Sequence, residues 1–88
     1  MDARAILERG RALMREEETR SSAAQQLGIL LSEVPEPYRR VLECRYIRGM
    51  RWEDVAEATF YVVSNCQKLH GEGIRILQEI LDGREEET

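Results

Sequence analysis

Between Val63 and Leu81 the chain carries small or apolar residues at Cys66, Leu69, Gly73, Ile76, Leu77 and Ile80, with mostly polar residues between them and no proline. Steps of three and four residues place this set on one side of a helix. A helix that is apolar along one stripe is stable only when other elements cover the stripe. Nothing else in the chain shows strand-like alternation of any length, so the cover must also be helical. The expected fold class is all-α, a small helical domain of about four to five helices.

Punctuation divides the remaining sequence. Residues 2–17 are rich in Ala, Leu, Arg and Glu, good helix formers, with Ile6, Leu7, Leu13 and Met14 as a narrow apolar stripe and Gly10 as a weak point. The run Glu16-Glu17-Glu18 interrupts that stripe and reads as solvated. Ser22 followed by Gln25 has the form of a capping box and predicts a new helix running to about Ser32. A single helix through residues 2–32 is the alternative. It would place Ile6, Leu13, Leu27 and Leu31 near a heptad seam, the surface on which a homodimer through residues 2–32 would form. Pro35 and Pro37 mark the next boundary, and a helix beginning near Glu36 ends at Gly49. A fourth helix is expected from about Trp52 to Ala58, with Glu53 and Asp54 in its first turn. The fifth runs from about Val63 to Leu81 and stops at Gly83. The resulting division is a helical leader over 1–33, used for packing or dimerisation, a two-helix unit within 34–81, and an acidic disordered tail over 82–88.

Composition narrows the function. At 88 residues, 42% hydrophobic and 34% charged, the chain has the profile of one soluble globular domain. It has neither an apolar stretch long enough to span a bilayer nor a signal-like leader, and the expected location is the cytoplasm. Cys44 and Cys66 belong to no metal-binding pattern and read as small core hydrophobes, and His70 is the only histidine. No phosphate loop, catalytic triad or metalloprotease pattern is present, so neither an enzyme nor a cofactor is expected. The net charge is −4, yet residues 35–51 hold Arg39, Arg40, Arg45, Arg48 and Arg51 against Glu36 and Glu43. A local basic surface therefore survives in an acidic chain.

The helices expected at 52–58 and 63–81, joined by a short connection, have the plan of a C-terminal helix-turn-helix. Ala56 supplies the small residue at their crossing, and Val63, Ser64, Gln67 and Lys68 occupy the free N-terminal face of the second helix. The residues Arg45-Tyr46-Ile47, Gly49, Trp52, Val55-Ala56 and Leu69-His70-Gly71, at these separations, resemble sigma factor region four. They resemble above all small phage and prophage proteins of that type, the ArpU and RinA late-gene regulators. The likeness covers residues 34–80 without a gap. It implies a transcriptional regulator that reads double-stranded DNA with the helix after residue 62. Carried over by position, Gln67 pairs with adenine, Lys68 with guanine or phosphate, and Val63 with a thymine methyl. Arg39, Arg40 and Arg51 then become phosphate contacts.

Two departures point elsewhere. Val62 stands where the family has a capping Ser, with Ser64 and Gln67 as a replacement capping box, and Phe60 stands where it has Gly or Asn. Of the apolar run Phe60, Tyr61, Val62 and Val63, Tyr61 and one valine fit a core, and the others would be exposed as a protein contact. Those features motivate the alternative expectation, a protein-binding module on the same scaffold. Its partner would be host RNA polymerase or a host defence effector of CRISPR type that a phage-encoded inhibitor would target. Trp52 is expected to cover the core between helices, Tyr46 to lie in the core with its hydroxyl at the surface, and His70 to be a helix-surface or helix-packing residue.

Overall fold

The computed structural model describes residues 1–87, with side chains through Arg84. It contains α1 (Ala3–Leu13), α2 (Arg20–Leu31), α3 (Tyr38–Leu42), α4 (Trp52–Thr59) and α5 (Val63–Glu87), and α3 continues directly as a π-helical segment (Glu43–Ile47). The all-helical class follows the sequence expectation, and the described residues include no strand. None of these helices is long and apolar enough to cross a membrane.

The leader forms two helices rather than one, so the continuous heptad seam does not exist. The break has a local chemical cause. The carbonyls freed at the end of α1 are taken by the start of α2: Thr19 Oγ1 donates to Leu13 O at 2.7 Å, and Arg20 Nε donates to Met14 O at 2.9 Å. The expected capping box is not used, because α2 already begins at Arg20, and Ser22 and Gln25 lie exposed within it. At the start of α1, Asp2 accepts from the Arg4 amide at 3.0 Å and caps the helix.

The third helix begins at Tyr38, two residues later than its prolines suggest, and widens into the π segment, where the Arg48 amide bonds back to Glu43 O at 3.0 Å. Gly49, at φ +64°, ends it as expected. At the C-terminus the expectation fails. Helix α5 continues through Gly83 to Glu87, so that residues 82–87 extend it instead of forming a disordered tail; Thr88 lies outside the described residues. Gly83 takes no positive φ and has no neighbour that a side chain would meet, so nothing forces a turn there.

Buried side chains fall into two groups. The larger joins Ala3 and Leu7 of α1, Leu27 and Leu31 of α2, Val34, Leu42, Tyr46, and Leu77 and Leu81 of α5. The smaller joins Val41, Cys44, Val55 and Cys66, with Met50, Trp52 and Leu69 packed against it. At Gly10 α1 and α2 approach closely, since a Cβ there would stand 2.8 Å from the Leu27 side chain. Gln78 ties α1 to α5: its Oε1 accepts from the Ala3 amide at 2.8 Å, and its Nε2 donates to Met1 O at 2.5 Å.

Candidate nucleic-acid interface

The surface around α4 and the first turns of α5 starts from how α4 ends. Thr59 turns its hydroxyl inward, donating to Val55 O at 2.7 Å, and is buried beside Cys66. The next residue, Phe60, takes the left-handed conformation, φ 63° and ψ 22°. Two residues later α5 has begun, with the Cys66 amide bonded to Val62 O at 3.0 Å. Val62 thus holds the capping position without a side-chain acceptor, and Ser64 lies inside the helix rather than capping it.

Burial on the first turns of α5 alternates as the helix turns. Cys66 is fully buried against Val55, and Leu69 is half-buried in the same group. Ser64, Gln67 and Lys68 are exposed, and Gly71 and Arg75 continue that exposed row. Of the expected base-reading residues, Val63 differs, being half-buried. The connecting tip differs more. Phe60 is 92% exposed, Val62 67% and Tyr61 39%, so Tyr61 does not enter the core as expected.

The expected phosphate contacts have different surroundings. Arg51 is 80% exposed and only loosely held by Asp54, at 3.5 Å. The Arg40 guanidinium is exposed and donates to Ala58 O at 3.2 Å, across to the end of α4. Arg39 is paired with Glu36 at 2.8 Å and Glu43 at 3.4 Å, which neutralises much of its charge. Arg48, part of the local basic surface but not among the expected phosphate contacts, is exposed and shares a groove with Arg40, Glu36 and Glu43.

The residues that carry the resemblance meet behind this surface. Tyr46 OH and His70 Nε2 are 2.7 Å apart, and their rings stack with centroids 5.6 Å apart. Trp52 meets His70 edge-on, and the Arg45 guanidinium lies 4.4 Å over the Trp52 ring. Arg45 Nη1 also donates to Met50 O at 2.8 Å, fixing the turn before α4. The Tyr46 hydroxyl is therefore held inside by His70 rather than at the surface. Burial, helped by the positive charges of Arg4 and Arg45, pushes the His70 pKa down to about 4 and keeps the ring neutral near pH 7. Burial likewise raises the pKa of Tyr46 and of the Cys44 thiol. Spacing in the sequence marked these residues, but their joint role in holding the π segment, α4 and α5 together appears only in three dimensions.

No protein-family model matches the chain, and comparisons with curated proteins and with solved structures find no match.

Proposed function

We propose that this chain is a duplex-DNA-binding transcriptional regulator of the phage and prophage sigma region-four type, acting in the cytoplasm with α4 and α5 as its helix-turn-helix. The observation that carries this reading is the row Ser64, Gln67 and Lys68, exposed on the first turns of a helix whose opposite side is locked by Val55, Cys66 and Leu69. A rigid helix with free polar side chains near its N-terminus is what major-groove reading requires. Arg51 and Arg40 supply phosphate contacts, and Arg48 is a better third than the paired Arg39. With Leu27 and Leu31 buried in the chain's own core, a homodimer through residues 2–32 is left with exposed side chains such as Ile29.

Fluorescence anisotropy of the purified protein on its own upstream region and on random duplex, across a salt series, tests the reading. Binding to the upstream region falls steeply with salt. Gln67→Ala loses about 1–3 kcal/mol of sequence discrimination. Lys68→Glu weakens all duplexes. Signals that stay flat down to low salt rule out DNA binding.

The Phe60–Val62 tip favours a second reading. An exposed phenylalanine in a left-handed conformation is unfavourable both in solvation and in backbone strain, by about 1–2 kcal/mol for the latter. A protein partner such as host RNA polymerase or a defence effector would cover it. Phe60→Ser, which adds no charge beside the DNA-contacting row, abolishes such a complex in a pull-down while leaving DNA binding intact.

A further inference from the structure

Away from the α4–α5 surface, an open groove of about 520 Å³ runs between the end of α1, the start of α2 and the end of the π segment. Arg11, Arg15, Arg20 and Arg48 line it, over apolar atoms of Met14 and Ile47, and no acidic residue lines it. In a chain with a net charge of −4, this is a concentrated positive site. None of the four arginines belongs to a salt bridge among the described residues. Arg20 is held in place through Nε on the Met14 carbonyl, which leaves the terminal nitrogens of its guanidinium to face a ligand. Like charges drawn from three segments of chain repel one another, and a bound polyanion removes that repulsion.

We propose that this groove binds a run of adjacent phosphates, the chemistry shared by a nucleoside di- or triphosphate and a nucleic-acid backbone. Guanidinium groups match phosphate oxygens with paired, charge-assisted hydrogen bonds. A phosphate chain concentrates several negative charges within the span of the groove, whereas an acidic peptide needs one side chain per charge. The chain's own Glu16, Glu17 and Glu18 stand exposed in the adjoining turn, and none of them lines the groove or pairs with its arginines. The groove volume lies in the range of small-ligand sites, and its apolar atoms leave room for a nucleoside beside the phosphates. This inference does not depend on base reading by α5.

The test is calorimetric titration of the full chain with tripolyphosphate, ATP, a short random duplex and an oligoglutamate peptide, with sulfate at matched ionic strength. The double variant Arg11→Gln, Arg15→Gln changes two side chains that line this groove and lie outside the proposed DNA-contacting set, sparing Arg20 and Arg48, and circular dichroism checks that it folds. Saturable binding of tripolyphosphate, weakened at least about tenfold in the variant, supports the site. ATP binding as tightly as tripolyphosphate assigns it to a free nucleotide. Duplex affinity that depends on the same two arginines, and exceeds that of both small probes, assigns it to a nucleic-acid backbone. Equal binding of sulfate, undiminished binding by the variant, tighter binding of oligoglutamate or no binding of any phosphate probe overturns the proposal. Gln67→Ala leaves tripolyphosphate affinity unchanged, so this site and the base-reading surface fail or stand separately.

Discussion

The larger core is built mainly of leucines from α1, α2, α3 and the C-terminal half of α5, whereas the smaller core beneath α4 has two valines and two cysteines at its centre. Burial free energy follows apolar area, so the leucine core carries most of the stability. The smaller core carries the exposed row Ser64, Gln67 and Lys68 and the strained Phe60. The proposed DNA-contacting row thus rests on the smaller of the two cores, whose local opening is expected at lower free energy than that of the leucine core. The π segment links the two regions: Cys44 faces the small core and Tyr46, two residues on, faces the large one.

The largest test of this contrast is a pair of truncations. Leu77→Ala is expected to lower global stability by about 3–4 kcal/mol, as seen by urea unfolding. Val55→Ala costs about 1–2 kcal/mol and speeds amide exchange in α4 and the first turns of α5 ahead of the rest. Equal losses, or uniform exchange in both variants, would break the distinction between the cores. A smaller effect comes from Phe60→Gly, which relieves the left-handed strain and removes a side chain that packs on little. The relieved strain of about 1–2 kcal/mol outweighs the added freedom of glycine in the unfolded chain, so stability rises by up to about 1 kcal/mol, read as a higher urea midpoint, and a clearly lower midpoint shows that the Phe60 ring contributes packing.

A separate, pH-dependent effect belongs to His70, which touches Tyr46 of one core and Trp52 beside the other. Its folded pKa is about 4 against an ordinary value of 6.5, so the unfolded chain binds more protons between those values. Its contribution is complete above about pH 6.5 and is lost as pH falls through about 4. Urea midpoints compared with those of His70→Gln should show an extra decline in the native protein across that window. Nuclear magnetic resonance titration of the ring gives the midpoint directly, and a value near 6.5 removes the effect.

Local signals were readable from the sequence. Gly49 marked its left-handed end, the acids after Trp52 marked the start of α4, and three- and four-residue steps placed Cys66, Leu69 and Leu77 on the buried side of α5. Signals that depend on distant partners were not. Gly10 looked like a weakness in a helix and is a point of close approach by α2, with no room for a side chain. The stop expected at Gly83 was a composition rule without a steric demand behind it. In the candidate interface the exposed positions of α5 followed from periodicity, while the pairing of Arg39 and the exposure of Tyr61 did not. The arginine groove draws on three separate segments, so no window of sequence displays it.

The bonds from Gln78 to Ala3 and Met1 join residues 75 and 77 positions apart. A ribosome makes α1 long before it makes the partner that fastens it. Until α5 emerges, the leucines of α1 and α2 have each other but no floor to close on, and they offer sticky surface to other nascent chains. The domain therefore cannot close before α5 has emerged, and chaperone demand should be greatest in the interval before Leu77 and Leu81 leave the exit tunnel.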